Sequence, residues 1–379
     1  MADLHDHPYA APFAVGEPDE PPRTAEAPAA AEVNLERARV LLAAHPVVDG
    51  HNTLARELTR TPWHALEHGE SSLDTDIPRI RAGGVGAQFW SLHVDPPGPD
   101  TPGGDGSISG TLDRADAVRA LIESCPEALR LALTAADMTD ARNGARVASL
   151  LGPVSGPALG DSLATLRAYH ALGVRSASVA GTRWAAGGLT RFGEEVVREM
   201  NRLGVLVDLS GATADTTRHV LAVTRAPVIL SRSAARALTG HPANVTDEAL
   251  RRLRANAGVC MVSFAPAQVA RSTAPATLLD VADHLDHVRA VAGPGCVGLA
   301  GSYGTATDAP HTVGLEDASC YPYLIAELLH RGWPEADIAA LTWGNAARVM
   351  REAEYAARAA ALDRGPSRAT IEELDGPGR

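Results

Sequence analysis

The chain has 379 residues, of which 45% are hydrophobic and 21% are charged; this is the composition of an ordinary globular protein and excludes wholesale disorder. Its formal net charge of −12 at pH 7 argues against a nucleic-acid partner, because no basic surface offsets the repulsion of phosphates. The sequence contains no run of about 18 apolar residues, so we expect no membrane span. No CxxC pair typical of a zinc ribbon occurs among the four cysteines, Cys125, Cys260, Cys296 and Cys320.

The two ends of the chain differ in composition from the middle. Residues 1–36 are rich in proline and acidic residues, where a signal peptide needs a basic and then an apolar stretch. We expect this segment to be a disordered leader, and the protein to be cytoplasmic. Residues 363–379 are expected to form a second disordered tail after an alanine-rich last helix. One globular domain is therefore predicted over residues 37–362.

Short apolar runs alternate with amphipathic segments in this predicted domain. Each run is almost continuously apolar, as in strands that are buried on both faces. The eight candidate strands span residues 47–51, 86–94, 146–152, 174–181, 204–211, 226–233, 258–265 and 296–302. Between them lie helical patterns such as residues 188–204, in which Phe192, Val196 and Met200 share one face and Gly204 provides the end.

The alternation of eight strands with helices predicts an α/β fold, a (β/α)8 TIM-like barrel. A doubly wound open sheet is the alternative, but it is disfavoured because no GxGxxG motif follows an early strand. In a barrel, chemistry takes place where the strands end. The residues that follow the candidate strands are Asp49, His51, Asn52, Thr53, His93, Asp95, Gly181, Thr182, Arg183, Asp208, Ser210, Gly211, Ser231, Arg232, Ser233, Ser302 and Tyr303.

This set of strand-end residues predicts a poor metal site. A two-metal hydrolase needs several histidines and carboxylates at the strand ends. After the histidine of the first strand, the set consists mostly of glycine, serine and arginine.

Longer stretches of the sequence carry a family resemblance. They lie within residues 38–355 and read VVDGHN, GGVGAQFWSLHV, GLTRFGEEVVREMNRLGVLVDLS, APVILSRSAARALTGHPANV, VADHLDHVRAVAG and GLEDASCYPYLIAELLHRGW. Through them the chain resembles the membrane (renal) dipeptidase family, the M19 metallopeptidases. The resemblance implies a (β/α)8 barrel of the metal-dependent hydrolase type, two zinc ions that activate a water to cleave dipeptides, and a homodimer.

The family's metal-binding motifs are where the chain departs from the resemblance. The positions that correspond to the family's ligands are His51, Thr53, Val154, Gly181, Gly211, Arg232 and Ser302, and Ala243 stands where the family has a substrate-clamping arginine. Serine and threonine hydroxyls are weak ligands, valine and glycine are none, and the guanidinium of Arg232 would repel a dication. We therefore expect no cofactor in this chain, although zinc is the family's metal.

Three functions stay open. The first is an enzyme repurposed for metal-independent chemistry on a small, carboxylate-bearing amino-acid or peptide derivative, as in a bacterial natural-product pathway. The second is a non-catalytic pseudoenzyme or binding module, and the third is a residual zinc dipeptidase. For the first function, the catalytic candidates are His51, Asp208, Ser302 and Tyr303, and the substrate-binding candidates are Arg232, Asn52, Trp90, Ser231, Ser233 and Arg183.

Several of these candidates also have a structural interpretation. The imidazole of His51 could be a packed group inside the barrel, and Trp90 could belong to the core. Asp208 could cap the helix that follows it. By contrast, Arg232 is predicted to act as an anion clamp, and His51 as an acid or base.

Overall fold

The computed structural model describes residues 28–94, 106–270 and 274–376. It is an α/β structure built around a single sheet of nine strands in the order β3-β4-β2-β1-β9-β8-β7-β6-β5, and every strand pair is parallel. The strands are β1 (Val47–Asn52), β2 (Val85–Trp90), β3 (Leu129–Leu131), β4 (Val147–Leu151), β5 (Ser176–Ser178), β6 (Leu206–Asp208), β7 (Ile229–Ser233), β8 (Val259–Ser263) and β9 (Val297–Ala300).

Helices follow most of the strands. They are α1 (Pro28–Ala44), α2 (Trp63–His68), α3 (Ile77–Ala82), α4 (Gly106–Ser124), α5 (Ala135–Asn143), α6 (Leu163–Ala171), α7 (Arg191–Leu203), α8 (Ala214–Val223), α9 (Asp247–Asn256), α10 (Pro266–Val269), α11 (Leu278–Ala292), α12 (Tyr321–His330), α13 (Glu335–Ala339), α14 (Asn345–Asp363) and α15 (Ile371–Asp375). No helix in the described part of the chain is long and apolar enough to cross a membrane.

Each of the eight predicted runs overlaps a strand of the sheet, which confirms the α/β prediction. The strand that the sequence did not predict is β3, which has only three residues, LRL, and is partly exposed after its first leucine. The amphipathic pattern of α7 is also confirmed. Phe192, Val196 and Met200 are buried, the Thr190 hydroxyl accepts a hydrogen bond from the Gly193 amide, and the helix ends at Gly204 with φ of 75°.

The two ends of the strand order approach each other because the sheet is curled. From Leu151, the last residue of β4, onward, the backbone is hydrogen-bonded to β5 and to the residue before it. Arg175 N donates to Leu151 O at 2.9 Å, Val154 N donates to Ser176 O at 3.1 Å, and Ser178 N donates to Val154 O at 2.8 Å. The first half of β4 instead pairs with β3 on the same edge. One edge of β4 is therefore shared between β3 and β5.

The predicted disorder of the two ends is wrong where the structure describes them. Helix α1 begins at Pro28, so residues 28–36 are helical and not a disordered leader; residues 1–27 lie outside the described residues. At the other end, Ile371 is buried and the carboxylate of Asp375 accepts hydrogen bonds from Thr190 Oγ1 at 2.6 Å and Phe192 N at 3.1 Å. The polar composition did not reveal these contacts, which depend on specific partners in α7.

Candidate functional site

The first strand brings a buried histidine to the carboxyl end of the sheet. His51 is only 2% exposed, and its Nδ1 has no hydrogen-bond partner among the described residues. Burial lowers its pKa well below the usual histidine value, and the positive charges of Arg232, His93 and Arg56 lower it further. His51 is therefore a neutral imidazole at neutral pH, and its buried Nδ1 accepts or donates no hydrogen bond within the described part of the chain.

Asp49 lies two residues before His51 and is equally buried. Its Oδ1 accepts hydrogen bonds from Gly301 N at 2.9 Å and from His51 N at 3.2 Å. Burial nevertheless raises the pKa of this carboxyl to about 7, since the two backbone bonds offset only part of the desolvation. Asp49 is one of the predicted strand-end residues, and no role was predicted for it from the sequence.

Arg232 is the exposed position of β7, between the buried Ser231 and Ser233. Its backbone amide donates to Ser210 Oγ at 3.0 Å. No hydrogen bond or ion pair joins its guanidinium to another described residue, although its charge acts on His51. The end of β7 therefore presents an unpaired cation, with a planar fork of donors, next to the neutral histidine.

The carboxylate of Asp208 is surrounded by hydrogen-bond donors. Its Oδ1 accepts from Ser210 N at 3.0 Å, Ser210 Oγ at 2.7 Å and Ser231 N at 3.0 Å, and its Oδ2 accepts from Ser231 Oγ at 2.7 Å. These bonds join the ends of β6 and β7. The interpretation of Asp208 as the cap of the next helix is wrong, because Thr213 caps α8 by accepting from Thr216 N.

The end of β9 brings Ser302 and Tyr303 beside β1. Ser302 N donates to His51 O at 2.9 Å, and its side chain lies 3.2 Å from Ser263 Oγ. The Tyr303 hydroxyl donates to Leu315 O at 3.2 Å, and burial raises the pKa of this phenol well above its usual value. Tyr303 thus stays protonated at neutral pH and is held by a backbone carbonyl; its catalytic role stays a prediction.

Asn52 and Trp90 are register partners on β1 and β2. Both are fully buried, and neither Asn52 Nδ2 nor Trp90 Nε1 has a partner among the described residues. Trp90 belongs to the hydrophobic core, as its structural interpretation expected. Elsewhere, Ser233 Oγ donates to Ala243 O at 3.1 Å.

Arg183 lies after β5 and is occupied by an ion pair. Its Nε lies 2.8 Å from an Asp161 carboxylate oxygen, and its side chain is 45% exposed. Hydrogen bonds and charge therefore connect the ends of β1, β6, β7 and β9 through His51, Arg232, Asp208, Ser231 and Ser302, whereas Arg183 forms a separate pair. The roles assigned to all of these residues stay predictions.

The other positions that resemble metal-ligand sites offer little to a cation. Thr53 Oγ1 donates to Tyr303 O at 3.1 Å, Val154 is buried, and Gly181 and Gly211 have φ of 77° and 73°. Within residues 28–94, 106–270 and 274–376, no group of three or more histidine, cysteine, aspartate or glutamate residues could hold a metal ion.

The sequence predicted no role for two of the groups whose charges act on His51, which are Arg56 and His93. Arg56 lies on a short 3-10 turn directly after β1, and His93 follows β2. His93 was one of the strand-end residues, but no pattern marks Arg56. Both charges act on the same imidazole because the curled sheet brings the ends of its strands together, and this cannot be seen in the sequence.

Comparisons with known proteins agree with this architecture. A family model described as membrane dipeptidase (peptidase family M19) matches residues 35–364. The chain is 39% identical over 342 residues to Dipeptidase 3 of Macaca fascicularis, covering 84% of this chain and 67% of that protein. It is 38% identical over 341 residues to Dipeptidase aclJ of Aspergillus oryzae, covering 83% and 80%.

Solved structures with the same fold include two from bacteria. The probable dipeptidase PvdM from Pseudomonas aeruginosa superposes with a TM-score of 0.74 at 20% identity, covering 86% of this chain and 99% of that one. A metallopeptidase from Rhodobacter sphaeroides, liganded with a phosphinate mimic of the dipeptide L-Ala-D-Ala, gives a TM-score of 0.73 at 23% identity, covering 81% and 99%. The sequence matches and the shared fold together identify this chain as a member of the membrane dipeptidase family, peptidase family M19.

Proposed function

We propose that this chain is an enzyme of the dipeptidase family that has lost its metal centre and acts on a small, carboxylate-bearing amino-acid or peptide derivative. The observation that carries the proposal is the unpaired guanidinium of Arg232 acting on a buried, neutral His51. An arginine fork binds a carboxylate through two parallel hydrogen bonds, and a neutral imidazole can accept a proton.

The site is proposed to be the mouth of a complete eight-stranded barrel. The ring would run β1-β2-β4-β5-β6-β7-β8-β9, with β3 outside it. Its support is the set of backbone bonds from Leu151 and Val154 to β5, which join the two ends of the sheet order. Parallel barrels carry their active sites at the carboxyl ends of their strands, which is where His51 and Arg232 lie.

The donor set at these strand ends does not fit a pair of zinc ions. Catalytic zinc takes three protein ligands, drawn from imidazoles, thiolates and carboxylates. Here the matching positions hold Thr53, Val154, Gly181 and Gly211, and Arg232 adds a fixed positive charge. We therefore derive no step through a metal. In the proposed mechanism, Arg232 orients the anion and His51 moves the proton.

Metal analysis tests this first part of the proposal. Protein purified without added metal is expected to carry well under one zinc per chain, because the remaining donors are too few and a guanidinium repels a dication. Elemental analysis provides the measurement. Two tightly bound zinc ions per chain, or turnover of dipeptides that a chelator abolishes, would support the residual dipeptidase instead.

Two substitutions test the roles of Arg232 and His51. Arg232→Met keeps the apolar stem but removes the charge, so binding of N-acetyl amino acids and dipeptides in chelator is expected to weaken by about 1.5–3 kcal/mol, as for a charged hydrogen bond. His51→Gln is expected to preserve binding and to reduce turnover, because an amide does not transfer protons. Calorimetry and product analysis separate the two effects.

A matched control is Arg251→Met, which removes an exposed arginine of α9 that has no hydrogen bond or ion pair with another described residue. This control is expected to leave binding and turnover unchanged. If Arg232→Met binds and converts every ligand tested as well as the control does, the mouth is not the functional site.

A binding module without catalysis is the second candidate. It is favoured by the hydrogen bonds that occupy Asp208 and Tyr303, because these leave His51 as the main group available for proton transfer. Ligand binding that depends on Arg232, together with no product from any bound ligand, would put this candidate first.

A further inference from the structure

A cavity of about 360 Å³ lies beside the proposed mouth. It is placed between the ends of β6 and β7 and the first turns of α8 and α9. Its walls are formed by Leu209, Gly211, Ala212, Thr213, Ala214, Thr217, Leu230, Arg236, Pro242, Ala243, Asn244, Val245, Thr246 and Ala249. Gly211 and Ala243 are positions that the resemblance matched to a metal ligand and to the substrate-clamping arginine, and no lining residue is assigned to binding or catalysis in the function proposed above.

Arg236 is the only charged residue among the described residues that line the cavity. Its side chain is exposed, and no hydrogen bond or ion pair joins its guanidinium to another residue of the described chain. Within the described residues, the cavity wall therefore carries one positive charge without an acidic partner, which would attract an anion.

The acidic side chains of the neighbouring helix turns are already paired. Asp215 in α8 lies 2.7 Å from Arg218. In α9, Asp247 lies 2.8 Å from His287 and Glu248 lies 3.2 Å from Arg252. Each of these acids has its own basic partner, so none of them is needed to balance Arg236.

The rest of the cavity wall is mostly apolar, with Leu209, Leu230, Pro242 and Val245 as its larger side chains. The amide of Asn244 is engaged elsewhere, because its Nδ2 donates to Thr239 O at 3.0 Å and to Gln268 O at 2.8 Å. A short apolar chain that ends in a carboxylate matches this combination of an apolar wall and one arginine.

The cavity and the mouth share a loop. Gly211 lines the cavity, and a Cβ added there would meet only Ala180, at 3.9 Å. Ser210, directly before it, accepts the hydrogen bond from the backbone amide of Arg232. A ligand held at the mouth by Arg232 could therefore extend along this loop towards Arg236.

We propose that this cavity is a second carboxylate subsite, so that the substrates of this protein carry two anionic groups, one bound by Arg232 and the other by Arg236. This inference rests on the proposed function of the mouth and adds the substrate class. It predicts that dicarboxylates bind better than monocarboxylates of equal length, because each anionic end meets its own guanidinium.

Thermal-shift titrations of the full chain with glutarate, adipate, pentanoate, hexanoate and inorganic phosphate test the inference. We expect the unmodified protein to bind the dicarboxylates at least about tenfold more tightly than the monocarboxylates, as for one added charged hydrogen bond. Arg236→Met should remove this preference and leave the binding of monocarboxylates unchanged. Arg236→Lys should retain part of the preference for dicarboxylates, and Arg251→Met should bind these ligands as the unmodified protein does.

The outcomes separate this inference from the proposed function. If Arg232→Met weakens the binding of all carboxylates but Arg236→Met leaves the preference for dicarboxylates intact, the mouth binds carboxylates as proposed. The proposal of a second subsite is then wrong. If Arg236→Met weakens binding and Arg232→Met does not, the cavity binds anions but the proposed mouth fails. Phosphate binding that exceeds dicarboxylate binding and requires Arg236 would overturn the assignment to a carboxylate.

Discussion

Replacing Asp49 by asparagine is expected to raise the free energy of unfolding at pH 8 by about 4 kcal/mol, and to change it little at pH 4. Burial raises the pKa of the Asp49 carboxyl to about 7 from its ordinary value of 3.8. A shift of this size corresponds to roughly 1.4 kcal/mol per pKa unit. Asparagine removes the charge but keeps an oxygen that can accept from Gly301 N and His51 N.

The sign of this pH dependence follows from proton linkage. Between about pH 4 and pH 7 the folded protein holds the Asp49 proton while the unfolded chain has lost it, so stability falls as pH rises through this window. His51 acts in the opposite direction, because its pKa is lowered in the folded state and its stabilising contribution is lost as pH falls below its unfolded value. The difference between the unmodified protein and Asp49→Asn cancels the His51 contribution.

Urea denaturation from pH 4 to pH 8 measures this difference. A difference in the free energy of unfolding that stays constant from pH 4 to pH 8 would show that the Asp49 carboxyl titrates as it does in the unfolded chain. Asp49→Asn that is less stable at pH 8 would show that the charge of Asp49 is needed by a partner. Either result would contradict the raised pKa.

The sheet could be predicted from the sequence because strands that are buried on both faces leave a simple trace. Each of the eight apolar runs overlaps a strand, and the first of them covers all but the last residue of β1, whose six residues are all buried. Strand β3 leaves no such trace, since it has three residues and Arg130 at its centre. The termini were mispredicted for a different reason: their composition is polar, and the contacts that order them, such as Asp375 with Thr190, depend on single partners far away in the sequence.

The position of the candidate site at the strand ends could also be predicted from the sequence, but the protonation states of its residues could not. Because strand ends of a parallel barrel meet at one side, His51 and Arg232 could be expected near each other. That His51 is neutral, and that Asp49 beneath it holds a proton near neutral pH, results from burial and from the charges that the fold collects around them. Neither burial nor a neighbouring charge from another strand can be read from a motif.

The other large expected effect concerns a buried ion cluster far from the site. Glu199 of α7 has a fully buried side chain. It accepts two hydrogen bonds from Arg202, both at 2.8 Å, and one from Arg167 of α6 at 3.0 Å. Burial alone would raise the pKa of this carboxyl, but the bonds from the two arginines hold it below its usual value. Arg167 also donates to the carbonyl of Ser367 at 2.8 Å, so the cluster fastens the C-terminal segment to α6 and α7.

Glu199→Gln is therefore expected to lower the free energy of unfolding by about 3 kcal/mol at pH 7, the lower end of the range for breaking a buried ion pair. The lower end applies because Arg167 and Arg202 are 28% and 14% exposed and can regain some hydration. A lowered pKa means that this contribution is present above the unfolded value and is lost as pH falls through the folded one. The difference between the two proteins should consequently shrink below about pH 4.

The matched control for this substitution is Glu248→Gln, since Glu248 pairs with Arg252 on the surface of α9, where the two side chains are 68% and 48% exposed. An exposed pair of this kind contributes only about 0.3–0.5 kcal/mol. Urea denaturation of both variants at pH 7 and at about pH 3, below the usual glutamate pKa, provides the comparison. If Glu199→Gln lowers the free energy of unfolding no more than the control does, water stabilises the two arginines as much as the carboxylate does. In that case Asp375 and Ile371 hold the C-terminal segment instead.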